Sequence, residues 1–145
     1  MVMKKIIMII AIAIAATVAM YADDRPVDYN KVPAAAKTFI NANFPGEKVT
    51  YSTKEDDLVR PDYHVRLDSG VLMTFDHAGR LEKIQTQNGV PAGVVPVQIS
   101  DYVKLHYPDA VVVEYEVDKR SYEVRLSNRM ELKFNSNWHL VEIDD

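Results

Sequence analysis

Cysteine is absent from all 145 residues. That excludes a disulfide scaffold, a thiol nucleophile and a lipid-attachment cysteine, so a chain sent to an oxidising compartment depends on its core for stability. Glycine is scarce, with five residues, and none belongs to a glycine-rich loop that could cradle phosphate. No serine stands in a Gly-x-Ser-x-Gly elbow either. Basic clusters are missing: 17 Lys and Arg stand against 21 Asp and Glu, a formal charge of −4. Such a chain suits neither nucleic acid nor an anionic membrane surface as partner. Its longest apolar run, Ile6 to Met20, has 15 residues, short of the about 20 that a spanning helix needs.

That run follows Lys4 and Lys5, closes on small residues near Ala19 and Ala22, and gives way at once to Asp23-Asp24-Arg25-Pro26. These are the parts of a secretory signal, so residues 1–22 are expected to leave on export, with the cut after Ala22. What remains is 145 − 22 = 123 residues, the size of one ordinary domain. Its charge becomes −6, because Lys4 and Lys5 leave without an acid. The expected location is the periplasm or the exterior, with no lipid anchor and no stable membrane insertion after cleavage.

The rest of the chain is written twice. Val32-Pro33, Phe44-Pro45, Tyr63-His64-Val65-Arg66-Leu67 and the stretch Phe75 to Ile84 recur as Val95-Pro96, Tyr107-Pro108, Tyr122-Glu123-Val124-Arg125-Leu126 and Phe134 to Ile143. The offset is 63 residues through the first block and 59 through the second, so one four-residue length change separates two collinear copies, about 30–86 and 95–144. Residues 87–94, with Gly89, Pro91 and Gly93, read as the linker.

Each copy opens on a short helix. Pro33 and Pro96 suit a first helical turn, while Phe44 and Tyr107 precede prolines that push them out of the helical region. Ala36, Phe39, Ile40 and Phe44, and in the second copy Ile99, Tyr102, Val103 and Tyr107, form one apolar stripe each. The period then switches from 3.6 to 2. Tyr63, Val65 and Leu67, then Val71, Met73 and Phe75, alternate with polar neighbours across Asp68-Ser69-Gly70. Tyr122, Val124, Leu126, then Met130, Leu132, Phe134 repeat this across Ser127-Asn128-Arg129. Parity requires three-residue loops, which pair Leu67 with Val71 and Leu126 with Met130 and keep every apolar residue on one side. Such a loop wants a residue at positive φ; Gly70 supplies it in one copy and Asn128 is expected to in the other.

An earlier strand precedes each hairpin, with Val49, Tyr51 and Thr53, or Val111, Val113, Tyr115 and Val117, expected inward. A fourth follows, carrying Leu81 and Ile84, then Trp138, Leu140 and Ile143. The expected fold is α+β: two units of one helix plus four antiparallel strands, sharing a curved eight-stranded sheet with both helices on one face. Neither unit alone buries enough apolar surface to offset the entropy of ordering it, so a common core is expected.

This pattern, in tandem behind a signal, resembles the PepSY-like family of small exported bacterial proteins, whose fold is similar to that of beta-lactamase inhibitor protein. The resemblance covers about residues 30–144 and rests on structural positions. It implies a periplasmic or surface-exposed protein of unassigned role, in a superfamily associated with restraining or binding other proteins, peptidases included. No inhibitory residue carries over, because the matching positions are core positions. Beta-lactamase inhibitor protein also relies on disulfides that a cysteine-free chain cannot form.

Chemistry is thinly represented. His64, His77, His106 and His139 are scattered, with no i, i+4 or His-x-His spacing to seat two imidazoles on one metal. Glu55-Asp56-Asp57 and Asp144-Asp145 lack the alternating acids and glycine turn of a calcium loop. No catalytic residue, metal site or cofactor is assigned. A hydrolase would need His64 or His139 beside a carboxylate in a cleft. The outward sheet face is the candidate site: His64, Arg66, Leu72 and Thr74 from one copy, Glu123, Arg125, Glu131 and Lys133 from the other. The register opposes Arg125 to Glu131 and Glu123 to Lys133, either a solvated face tidied by ion pairs or a platform for an envelope or secreted protein or peptide. The alternative is a carrier that holds a small ligand or ion between sheet and helices, which requires a cavity there.

Overall fold

The structure, a computed structural model, describes residues 24–56 and 59–145. The expected signal, residues 1–22, and Asp57 of the acidic run lie outside the described residues. Two ten-residue helices, α1 (Ala34–Asn43) and α2 (Val97–His106), begin one residue after Pro33 and Pro96, whose extended backbone precedes the first turn. They end where Phe44 (φ −135°) and Tyr107 (φ −137°) leave the helical region before their prolines.

Nine antiparallel strands form one sheet in sequence order. They are β1 (Asp24–Pro26), β2 (Val49–Glu55), β3 (Tyr63–Leu67), β4 (Leu72–Phe75) and β5 (Leu81–Gln85), then β6 (Val112–Asp118), β7 (Ser121–Leu126), β8 (Glu131–Asn135) and β9 (Leu140–Asp144). The expectation of eight strands is corrected by β1, which pairs with β2 and ends at Pro26. Two polar residues and a proline carry no period-2 signal, and the pairing is made by the neighbour's open edge.

The buried residues make one cluster. Val65, Val124, Met73, Leu132 and Ile84 are 0% exposed, and Ala36 and Ile40 of α1 join Ile99 and Val103 of α2 on the same side of the sheet. Phe39 meets Phe75 edge-on at 5.8 Å, and 63 and 59 residues later Tyr102 meets Phe134 in the same way at 5.6 Å.

Both hairpin loops have three residues, with Leu67 N–H donating to Val71 O and Leu126 N–H to Met130 O, each 2.9 Å. Gly70 takes φ 97°, but in the second loop Arg129 takes φ 73°, not Asn128. The left-handed residue must be the last of the loop, where the chain re-enters the ladder. Asn128 instead turns its Oδ1 to the Met130 N–H at 3.0 Å.

Bulges correct the register elsewhere. Pairing slips between Val49 and Tyr51 and, 63 residues on, between Val112 and Glu114. The slip sends Val112 toward the core and leaves Val111 48% exposed, so the simple alternation Val111, Val113, Tyr115 fails at its start. In β2 the same slip sets Ser52 opposite the buried Val65 and corrects the expectation for Tyr51 and Thr53, which fall on the other face opposite Arg66 and His64. The last strands slip likewise, leaving Glu82 and Val141 as the extra residues of β5 and β9. Trp138 sits in the turn before β9 at φ 61°, where the first copy has Gly79.

A non-glycine residue in the left-handed region costs about 1–2 kcal/mol. Arg129→Gly is therefore expected to raise the unfolding free energy by up to about 1 kcal/mol, and Gly70→Ala to lower it by about that much. Chemical denaturation at constant m-value measures both, and a destabilised Arg129→Gly would contradict the loop geometry.

Candidate functional site

With the helices and core on one side, the other side of the sheet carries two side-chain rows across all the hairpins. One runs Thr53, His64, Thr74, Lys83, Glu116, Glu123, Lys133, Glu142. The other runs Tyr51, Arg66, Leu72, Gln85, Glu114, Arg125, Glu131, Asp144. All eight expected site residues fall in these rows: His64, Thr74, Glu123 and Lys133 in the first, Arg66, Leu72, Arg125 and Glu131 in the second. Period-2 alternation suffices to place them there.

The second half is held by an ion network. Arg125 Nη2 donates to Glu131 Oε1 at 2.6 Å, and Arg125 Nε lies 3.6 Å from Glu114 Oε2. Lys83 Nζ and Gln85 Nε2 reach Glu114 Oε1 at 3.0 and 2.8 Å. Burial pushes the Glu114 carboxyl up, but these donors and the nearby cations outweigh it and hold the group below its ordinary value. Glu123 moves the other way. Burial and the charges of Glu131 and Glu116 raise it against Lys133, and no ion pair closes between Glu123 and Lys133 among the described residues, although the register opposes them. Arg66, by contrast, is exposed and makes no ion pair or hydrogen bond through its guanidinium among the described residues.

At the opposite corner the sheet gathers acids that the sequence keeps apart. Pairing of β1 with β2 and of β2 with β3 brings Asp24, Glu55 and His64 together, their ligand atoms all within 4.8 Å of one another. His64 Nε2 is 3.6 Å from Asp24 Oδ2 and 4.0 Å from Glu55 Oε2, while its Nδ1 shares a 2.9 Å hydrogen bond with Thr74 Oγ1. A search for paired histidines misses this grouping, because two of its three members are carboxylates and one belongs to the unforeseen β1. Asp24, His64 and Thr74 are also the residue types of a hydrolytic triad. Thr74 lies inside the sheet, however, where neighbouring backbone N–H groups serve the ladder, so the paired donors an oxyanion requires are not on offer.

Next to this corner, the bulged Glu82 has a fully buried Oε1 with no hydrogen-bond partner. Burial, a hydrogen bond with Asp62, and the charges of Asp62, Asp76 and Glu55 push its carboxyl up to about 7. Beside α2 a cleft of about 520 Å³ opens between the linker and β6, lined chiefly by Val90, Pro91, Val95, Val97, Val111 and Val112.

The family described as "Putative beta-lactamase-inhibitor-like, PepSY-like" matches this chain twice, over residues 20–83 and 63–142. No curated protein matches it. Among solved structures, a "putative calcium-regulated periplasmic protein" from Bacteroides thetaiotaomicron is 38% identical with TM-score 0.80, covering 86% of this chain and 98% of that one. A "putative periplasmic protein" from Bacteroides vulgatus is 37% identical with TM-score 0.82, covering 86% and 99%. Another from the same species, "of unknown function", is 32% identical with TM-score 0.79, covering 84% and 99%. No helix among the described residues is long and apolar enough to cross a membrane.

The Glu82 carboxyl gives a pH signature. Its folded value of about 7 lies above the ordinary 4.5, so the folded chain binds the proton more tightly and loses stability as pH rises between those values. Glu82→Gln is expected to melt above the parent protein at pH 8 and close to it at pH 4.5. A melting-point difference that stays constant with pH would refute this.

Proposed function

Because this chain belongs to the PepSY-like family, we propose that it is an exported, non-enzymatic binding module that holds a segment of another envelope or secreted protein against the open face of its sheet. The relatives' descriptions as periplasmic support that location, and residues 1–22 would be the signal leading there. The two family matches support reading 30–86 and 95–144 as two copies of a helix with four strands, joined by 87–94.

The observation that carries the proposal is the charge pattern of a broad face that, among the described residues, no helix covers. In its second half Glu116, Glu123, Glu142 and Asp144 add to the neutralised Glu114 and Glu131, leaving carboxylates in excess. In the first half Arg66 keeps its five donors for an incoming acceptor. The complementary partner is an extended segment bearing lysine or arginine at one end and a carboxylate to meet Arg66 at the other. Bound there, Arg66 would be the anchor and the surrounding rows the polar rim.

A second reading, carriage of a small apolar ligand, is favoured by the cleft beside α2, whose volume and apolar lining suit such a molecule.

Photo-crosslinkers at Thr74 and Lys133 are expected to trap a defined envelope protein in intact cells, and those at Thr38 and Asn41 on α1 are not. Arg66→Glu should cut the yield several-fold. Equal adducts from both faces, or none from the sheet, would sink the binding reading. For the cleft, an environment-sensitive fatty-acid probe should bind saturably to the parent protein and lose binding in Ala110→Trp; absence of saturable binding rejects carriage.

A further inference from the structure

The geometry points to a divalent-cation site of the zinc type formed by Asp24, Glu55 and His64. This is independent of the protein-binding role proposed for the face. Three features of the corner converge on it.

The first is spacing. Two ligands bound about 2.0–2.1 Å from a tetrahedral metal stand roughly 3.3 Å apart. His64 Nε2 already lies 3.6 Å from Asp24 Oδ2 and 4.0 Å from Glu55 Oε2, so a cation needs only a small closure of side chains. The second is orientation. The contact between His64 Nδ1 and Thr74 Oγ1 at 2.9 Å lets a neutral ring donate its Nδ1–H to the hydroxyl. That turns the Nε2 lone pair toward the two carboxylates, the second-sphere arrangement common to metal-bound imidazoles.

The third is an unpaid electrostatic cost. Asp24 and Glu55 are direct cross-strand partners, a placement that sets like charges against each other. The Asp24 side chain is only 10% exposed, and among the described residues its carboxylate accepts no hydrogen bond. Most of that side chain is withdrawn from bulk water, which weakens the solvation of its charge. A dication between the two acids and the imidazole removes both penalties at once.

The donor set also selects the metal. Calcium takes six to eight oxygens. One nitrogen and two carboxylates, with water completing the shell, suit zinc and its first-row neighbours.

Protein purified without a histidine tag tests the assignment by competition with a chromogenic chelator. The parent chain should take up one equivalent of Zn²⁺ and melt at a higher temperature with Zn²⁺ than with chelator, whereas the same concentration of Ca²⁺ should do neither. Thr74→Val should weaken uptake by about 10–100-fold, the range for a lost second-sphere partner, and His64→Gln by more. Glu142→Gln, on the same sheet face at the far edge strand, should bind as the parent does. Where His64→Gln fails to fold, the parent's own His64 ring resonances must shift on adding Zn²⁺. Absence of uptake, unchanged uptake in folded His64→Gln, unshifted His64 resonances, or saturation by Ca²⁺ that Zn²⁺ cannot displace would each overturn it.

Discussion

One-sided burial is the constraint on which this molecule depends. An antiparallel ladder forces register partners onto the same face, so once Val65 and Val124 are committed to the interior, the parity of every other strand residue follows. Both helices lay their apolar stripes on that single face, and Phe39 on Phe75 and Tyr102 on Phe134 make equivalent contacts on either half. The cost of the arrangement is a broad polar surface that no helix covers among the described residues. Its benefit is a rigid platform whose rows run from strand to strand.

Strict alternation cannot run the length of a twisted sheet without adjustment. The bulges in β2 and β6, 63 residues apart, return Val49 and Val112 to the core after the chain has slipped by one residue. The bulges in β5 and β9 each leave one residue extra, and there the halves differ in chemistry. In β9 the extra residue is the exposed Val141; in β5 it is Glu82, whose Oε1 is buried beside other acids. A shared backbone feature thus carries different chemistry in each half.

The two halves of the open face are accordingly unlike. Around Glu114 the cations Lys83 and Arg125 answer the acids, and the local charge is largely settled. Around Asp24, Glu55 and Glu82 the acids meet one imidazole and few donors. Surface ion pairs in the first group contribute little to stability individually, whereas the second group stores unfavourable interactions that a proton or a cation can relieve.

Much of this was legible in the chain itself. The paired prolines set where the helices begin and end, because a missing N–H and a fixed φ act locally. The Tyr-x-Val-x-Leu alternation set the three-residue loops and the face of all eight candidate residues, because side-chain parity is a property of the strand alone. Arg129 rather than Asn128 at positive φ escaped residue preference, since the ladder decides which loop position must be left-handed. The exposure of Val111 escaped for the same kind of reason, because a bulge is a compromise between two strands. Beyond that, β1 and the meeting of Asp24, Glu55 and His64 belong to tertiary structure, since they exist only when residues up to 40 positions apart are brought across neighbouring strands. Local periodicity determines which way a side chain points; only the assembled sheet decides what it meets there.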